Sequence, residues 1–585
     1  MSDKGSEFSY NRETAGRKTE GDPSQESTDR VADVSADMGD QESASVIDDV
    51  LSEAREHTTP LFPDESSDPV RKPEIDEAFF EFDYLETHHQ RDWSWVNRPY
   101  AYLATVSDDA TDEPRLWVVE PALDQFEAYV RDDLERTFRT ELLYADETGD
   151  RPSREVFDRE AKRIIREYAT SVSSTSLHKI LYYLRRDFIG YGRIDPLMRS
   201  PVVEDISCSG KDVPIHVYHG EYGNIPTNCQ LGADQLDSYV MRLAQRAGKH
   251  LSVSNPLVDA SLPDGSRMQA TLGGDVTTRG SNFTIRNFTD TPFTPVDLID
   301  SGTFSVEQMA FFWFSVQNNR SLLFAGATGS GKTTSMNSMS FFIPPQSKIV
   351  SIEDTPELSL PHDNWIQSVS REATGDQGRG EVSMYNLLEA SLRQRPEYLL
   401  VGEIRTDPRV ASTFFQAIST GHTAYTTFHA NSVQGLLSRL QNEPLTVSRQ
   451  MIAELDLVSI QKQVRVDGKN VRRNSEIVEI IPRDEGQGML QARTVFDRDP
   501  ATDSFNRAQA SQTIDDIRDE RGWTTAQVET ELERRRDILE YLHANGINGY
   551  DEVVKATTMF TRQPDTIVDL VRDDVLGSVL TESGD

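Results

Sequence analysis

The sequence predicts an α/β chain: a mainly parallel central sheet with helices on its faces, preceded by α+β domains and followed by a helical segment. Three observations carry this. Gly326-Ala327-Thr328-Gly329-Ser330-Gly331-Lys332-Thr333-Thr334 fits the pattern G-x-x-x-x-G-K-[ST] at every fixed position. The apolar run Ser321-Leu322-Leu323-Phe324-Ala325 before it reads as a buried strand, and Met336, Met339 and Ile343 after it recur at helical spacing. From about Thr303 to Ile481 strand and helix patterns then alternate, as they do in a parallel sheet.

At 585 residues the chain exceeds one core. Residues 1–75 are rich in Ser, Asp, Glu and Gly and too poor in large apolar groups to offset chain entropy, so an acidic disordered tail is expected, with a weak helix near Val46 to Ala54. Aromatics then begin, and 76–173 reads as a first α+β domain, with strands at Tyr102–Val106 and Arg115–Glu120 and helical periodicity over Leu123–Leu143 and Glu155–Tyr168. A second α+β domain, 174–290, opens with a helix carrying Ile180, Leu181, Leu184 and Phe188 on one face. In it, Val203–Ser207 and Ile215–Tyr218 read as strands, Asp234–Ala247 as a helix, and Arg267–Leu272 with Ser281–Arg286 as paired strands. Pro292 and Pro295 mark a linker, 291–302, before the α/β domain, 303–510. Met489–Phe496 is a β-like remnant, and 511–585 is helical, its clearest helix starting at Thr524 with Gln527 three positions on, a capping-box pattern.

The net charge of −37, from 97 acidic and 60 basic side chains, repels bare nucleic acid, whose binding needs clustered cations. A proteome-wide acidic bias, as in organisms living in high salt, accounts for the same number and weakens inference about partners. Two cysteines, Cys208 and Cys229, exclude a disulfide framework and a tetracysteine zinc element. No apolar run reaches the roughly 20 residues of a membrane span, and the N-terminus lacks the apolar core of a secretory signal, so a cytoplasmic protein is expected.

The glycine loop carries the clearest chemistry. Glycines let backbone N–H groups curl round a phosphate chain, and the following helix adds its positive end. Lys332 is then expected on the β/γ-phosphates of a nucleoside triphosphate and the Thr333 hydroxyl on Mg²⁺, with Gly326, Thr328, Gly329, Ser330, Gly331 and Thr334 completing the cradle. Such a site needs acids at neighbouring strand ends. Lys348–Asp354 ends in Glu353 and Asp354, and Glu397–Arg405 carries Glu403. His422 and His429 lie in Thr420–Asn431, where a structural role and γ-phosphate sensing both remain open.

The glycine loop, the acidic box Ile352–Leu358, the strand Leu399–Arg405 and the histidine box Gly421–His429 occur in that order. Together they resemble the type II/type IV secretion ATPase superfamily, and within it the archaeal branch of archaellum motor and pilus-assembly ATPases. Asp195–Met198, Glu204–Ser207, Leu262–Arg267 and Arg279–Arg286 are similar to that branch's N-terminal domain. The resemblance spans roughly Trp95 to Asp574, and the acidic composition fits a haloarchaeal source. It implies a RecA-like ATPase domain that binds ATP and Mg²⁺ in a homohexamer. The ring would push on an integral-membrane platform protein at the cytoplasmic face of the membrane, with archaellum accessory proteins as further partners.

By the same resemblance Glu353 positions the lytic water, Glu403 is the Walker B acid near the Mg²⁺ and Arg405 couples nucleotide state to the subunit contact. His422 and His429 form the histidine box. Arg267, Arg279 and Arg286 are the arginines that reach nucleotide, some from an adjacent subunit. Bacterial pilus-extension relatives often carry a tetracysteine zinc insertion, which this chain cannot form. Three readings stand at this point: a filament motor for an adhesion pilus or archaellum, a nucleic-acid or conjugation motor with the same core, and a nucleotide-binding scaffold without turnover.

Overall fold

The computed structural model describes residues 43–61, 72–108, 111–145, 154–168, 172–274, 276–288, 292–371, 380–482 and 490–581. The chain divides into two compact units, Met1–Arg199 and Ser200–Asp585.

The first unit opens with helix α1 (43–56). The expectation of a disordered tail up to residue 75 is corrected over this stretch, while 1–42 and 62–71 lie outside the described residues. The physical reason is apolar spacing. Val46, Ile47, Val50, Leu51 and Ala54 recur at helical intervals and pack against Phe79, Phe80, Tyr84 and Tyr102. Strands β1 (His88–Asn97), β2 (Ala101–Asp108) and β3 (Pro114–Val119) form an antiparallel meander under this aromatic cluster. Helices α2 (Gln125–Ala145), α3 (Arg154–Tyr168) and α4 (Ser174–Phe188) share a second core, in which Phe138 and Phe157 stack 5.2 Å apart. The helix from Ser174, grouped by sequence with the second domain, thus packs in the first unit. A short turn, α5 (Asp195–Met198), closes it.

The second unit begins with β4 (Val203–Cys208), β5 (Pro214–His219), β6 (Gly223–Gln230), β7 (Leu257–Ser261), β8 (Arg267–Thr271) and β9 (Asn282–Arg286). Within this unit their order is β6-β5-β4-β9-β8-β7, all antiparallel, with α6 (Ala233–Arg246) against β8 and β9. The expected pair β8–β9 is formed inside the sheet: β9 lies between β4 and β8, and β7 pairs with the other side of β8. The linker is likewise not featureless. Thr294 and Asp297 form a reciprocal capping box with Pro295 inside it, which starts helix α7 (Pro295–Asp300).

Helix α8 (Val306–Gln317) is apolar nearly all round and buried from Gln308 to Val316, which suits a helix inside a large core. Then come β10 (Leu322–Gly326), α9 (Lys332–Ser340), β11 (Ile349–Glu353), β12 (Trp365–Val369), α10 (Met384–Ser391), β13 (Tyr398–Ile404), α11 (Pro408–Ser419), β14 (Thr423–Phe428), α12 (Val433–Gln441), α13 (Arg449–Ile452), β15 (Leu457–Val466), β16 (Lys469–Pro482), β17 (Leu490–Asp499) and β18 (Ser504–Arg507). The sheet order is β12-β11-β13-β14-β10-β15-β16-β17-β18. Strands β12 to β15 in that order run parallel, and β10 is buried on both faces: Leu322 and Phe324 enter one core, Leu323 and Ala325 the other.

Beyond β15 the sheet turns antiparallel, where alternation alone had suggested parallel strands to Ile481. Asp467 and Gly468, at φ +49° and +80°, make a two-residue turn with both centres left-handed, and so short a link can only return the chain antiparallel. The apparent remnant after Met489 is a full strand, β17; Met489 itself lies outside the described residues.

Helices α14 (Gln512–Arg521), α15 (Thr525–Ala544), α16 (Tyr550–Arg562), α17 (Pro564–Arg572) and α18 (Leu576–Thr581) complete the chain. The Thr524–Gln527 capping box is formed, and Ile538, Leu539, Leu542, Phe560, Ile567 and Leu576 join the same core as Trp313 and Phe324. Arg535 is buried where α15 meets α8. It donates to the Glu531 carboxylate at 2.8 Å and to Gln317 Oε1 at 2.6 Å, and lies 4.6 Å from the centroid of Phe560. Burial pulls its pKa down to about 10, against the pull of Glu531. Glu531→Ala is expected to strand this cation and cost about 3 kcal/mol in denaturant unfolding, whereas Glu531→Leu combined with Arg535→Met costs less.

Candidate functional site

The C-terminal ends of β10, β11, β13 and β14 place Gly326, Glu353, Glu403 and His429 along one edge of the parallel sheet, where ligands of open α/β sheets bind. From β10 the chain turns sharply into α9. A Cβ on Gly326 would stand 2.3 Å from Ser330 Oγ and 2.5 Å from the Gln461 carbonyl, so only glycine fits. Gly331, at φ +88°, is the left-handed residue that starts α9. The loop is braced from inside: the Ser330 hydroxyl donates to the Ala327 carbonyl at 2.8 Å, and the Lys332 ammonium to the same oxygen at 2.9 Å. Burial lowers the Lys332 pKa, and the carboxylate of Glu403 opposes that shift. Met336 and Met339 anchor α9 in the core, while Thr333 and Thr334 stay partly exposed at its start and Thr328 is exposed on the loop.

Glu403 is aimed by a bulge. The β13–β14 register slips between Val401 and Glu403, leaving Gly402 as the extra residue, and the Gly402 carbonyl accepts the Thr427 hydroxyl at 2.7 Å. One carboxylate oxygen of Glu403 then meets His429 Nε2 at 2.9 Å and the other accepts from Arg405 Nε at 2.7 Å. Burial, reinforced by Lys332, lowers the His429 pKa against the pull of Glu403. Its hydrogen bond to Glu403 raises the pKa of Arg405, which also lies 3.4 Å from Asp354.

Glu353 faces a different way from that expected of a water-positioning acid. Its Oε1 accepts from the backbone N–H of Glu357 at 2.9 Å and of Leu358 at 3.0 Å, and its Oε2 from Gln367 at 3.2 Å. The group is only 2 % exposed and holds the loop 354–359 from below; Asn337 of α9 takes the next N–H, that of Ser359, at 3.1 Å. Of the other carboxylates of this box, Glu357 lines the cleft beside Thr333 and Asp354 the pocket beside Glu403.

A cleft of about 170 Å³ separates this edge from the β8–β9 end of the preceding module, lined among others by Thr333, Thr334, Asn337, Glu357, Arg267 and Arg286. Arg267 and Arg286 are cross-strand partners, and Arg267 lies 3.8 Å from Glu357. Burial lowers the Arg267 pKa against the pull of Glu357. Two expected members lie elsewhere in the subunit. Arg279 is exposed on the turn at the opposite end of β9, with its backbone against Gly210. His422 precedes β14 and bonds to the Ala417 carbonyl at 3.3 Å. Because the strand rises about 3.3 Å per residue, His422 is roughly 20 Å from His429, at the edge where β10 begins. The spacing that joins the two histidines in sequence therefore separates them in space.

Among the described residues no cluster of three His, Cys, Asp or Glu side chains could cage a metal. The donors at hand, the Thr333 hydroxyl and the Glu403 carboxylate, are hard oxygens. Few protein oxygens beside phosphate suit Mg²⁺, which keeps most of its waters. Sequence reasoning passed over Gln461, which walls the loop behind Gly326, and Arg472, which donates from Nε to the Gly329 carbonyl at 2.8 Å. The one available signal for Arg472 was a polar run, Arg472-Arg473-Asn474, inside a strand.

Burial pushes the Glu353 carboxyl up from 4.5 to about 7, against the N–H groups bonded to it. The folded chain therefore keeps a proton that the unfolded chain has already lost, and stability falls as pH rises from about 4.5 through about 7. Glu353→Gln lacks this titration. Thermal melts across that window are expected to show the variant gaining on the wild type by a few degrees toward the alkaline end.

The chain is similar in sequence to several known proteins. An uncharacterized protein of Methanocaldococcus jannaschii is 39% identical over 380 residues, 64% of this chain and 68% of that protein. The type IV secretion system protein VirB11 of Bartonella henselae is 30% identical over 236 residues, 34% of this chain and 65% of the relative. Among solved structures, the ATPase DotB of Legionella pneumophila aligns at 17% identity with a TM-score of 0.36, over 60% of this chain and 90% of that one. The family described as Type II/IV secretion system protein matches residues 230–559, more than half of the chain and all of the sheet edge just described. The chain belongs to that family.

Proposed function

We propose that the chain is an ATP-hydrolysing motor that works as a homohexamer and drives assembly or rotation of an archaeal type IV pilus-like filament through an integral-membrane platform protein. The observation that carries this reading is the cleft in which Thr333 and Thr334, at the end of the braced phosphate loop, face Arg267 and Arg286 of the preceding module. ATP fits that arrangement. Loop N–H groups and Lys332 hold the phosphates, and the arginines opposite meet the terminal one. Mg²⁺, when bound beside Thr333 and Glu403, neutralises phosphate charge. His429 keeps Glu403 oriented, and Arg405 ties the same carboxylate to Asp354 on the neighbouring strand end.

Contacts to the terminal phosphate from both sides hold the two modules together, and losing that group releases them, which is the differential contact a motor needs. Among the described residues no helix is long and apolar enough to cross a membrane, so force would reach the membrane through the platform partner. Archaellum accessory proteins would be further partners if the filament rotates. The exposed position of Arg279, away from its own cleft, supports a role for this arginine at the site of a neighbouring subunit.

Lys332→Ala and Glu403→Gln are each expected to lower ATP turnover by about 10² or more in native salt and to abolish filament assembly in cells; unchanged values for both would overturn the reading. Mixing Arg279→Ala subunits with Lys332→Ala subunits is expected to restore part of the turnover that either lacks alone, since some interfaces then combine an intact loop with an intact arginine. No recovery on mixing would exclude the contribution from a neighbour.

A further inference from the structure

Strand β16 carries three successive polar side chains beside the nucleotide site. Two are absorbed by the core. Arg473 pairs with Asp503 at 3.0 Å and donates to the Ser301 carbonyl at 2.8 Å, and Asn474 bonds to Gln308 and Ser459, each at 2.9 Å. Arg472 has a different assignment. Its Nε donates to the Gly329 carbonyl at 2.8 Å, and its terminal nitrogen lies 2.5 Å from both carboxylate oxygens of Glu204 on β4. One planar fork thus joins the middle of the phosphate loop to the module across the cleft.

Each end of this bridge has a defined consequence. Across a planar trans peptide the carbonyl and the next N–H point opposite ways, so holding the Gly329 oxygen toward Arg472 turns the Ser330 N–H away from it, toward the Ala327 carbonyl, to which it donates at 3.4 Å. At the other end, the Glu204 carbonyl accepts from the Asn287 N–H at 2.8 Å, and Arg286, one residue earlier, is the β9 partner of Asp205 and lines the cleft with Thr333. Gripping Glu204 therefore fixes the strand end that presents Arg286.

We propose that Arg472 is a positioning residue of the nucleotide site: it sets the loop's N–H groups and, through Glu204, the spacing between the loop and the arginines opposite. This deepens the reading of the chain as an ATPase and rests on it. Arginine suits the role because its fork serves two acceptors at once, which a single ammonium cannot do with the same geometry.

The test uses the full chain at fixed salt. Arg472→Gln, which loses both contacts, is expected to raise KM for ATP and to lower kcat, each about tenfold. Glu204→Gln keeps the loop contact, so kcat falls about tenfold while KM stays within about twofold. Arg472→Lys, paired with Glu204 alone, is expected to recover kcat but not KM. Values within twofold of wild type for all three variants, or equal losses with no split between KM and kcat, would overturn the proposal. Hydrogen exchange of the amides at 326–333 without nucleotide is a readout independent of turnover. It is expected to quicken about tenfold in Arg472→Gln and not in Glu204→Gln, and unchanged exchange in Arg472→Gln would also overturn the assignment. A wild-type chain that neither binds nor cleaves ATP, yet shows this exchange pattern, refutes the ATPase reading and leaves the bridge standing.

Discussion

A loop that offers its backbone N–H groups to an anion has to leave those groups unspent, and preventing its collapse is the constraint on which the second unit depends. The carbonyls are diverted instead. Ala327 takes the Ser330 hydroxyl and the Lys332 ammonium, with the Ser330 N–H as a long third donor at 3.4 Å, and Gly329 takes Arg472. Behind the loop, Gly326 sits so near Ser330 and Gln461 that the turn has no room to relax. The surrounding architecture makes that tightness tolerable: β10 lies inside the sheet, covered on both faces, and α9 is rooted in the same core. A phosphate then meets a loop whose backbone is already fixed, so little ordering remains to be done on binding beyond the release of the Lys332 ammonium from the Ala327 carbonyl.

Charge is organised round this cradle at short range. Glu403, Arg405 and Asp354 alternate in sign along the strand ends, and Glu357 faces Arg267 across the cleft. Most of these groups are partly exposed, so each pair alone adds little to stability. Their value is directional: every carboxylate is held in one orientation by the cation beside it. In a chain with a net charge of −37 that matters, because long-range repulsion is screened within about 10 Å in salt whereas contacts of about 3 Å persist.

What the sequence made legible follows from how local each signal is. The glycine loop is a contiguous pattern whose residue types are dictated by backbone geometry, and it could be read with the strand before it and the helix after it. The capping box at Thr524 and the strand-end acids were legible for the same reason. Orientation was not. Glu353 sits at the expected strand end, but a carboxylate there can face the cleft or its own loop, and only the N–H groups of Glu357 and Leu358 decide between them. His422 and His429 are neighbours in a motif, yet an extended strand carries them apart. Arg472 was invisible because its partners, Gly329 and Glu204, lie 143 and 268 positions away. The antiparallel end of the sheet starts from Asp467-Gly468, a two-residue hairpin signal that the helix–strand alternation preceding it masks.

The burial of Arg535 and Phe560 against Trp313 bears on where this fold stops. Because α15 to α17 supply part of the layer that covers α8, the last strand is not a natural place to cut. A shortened gene product ending near Arg507 would leave the aromatic side of α8 bare to solvent, a patch of the kind that drives aggregation. Expression trials seeking a minimal soluble piece should therefore keep the carboxyl-terminal helices whole.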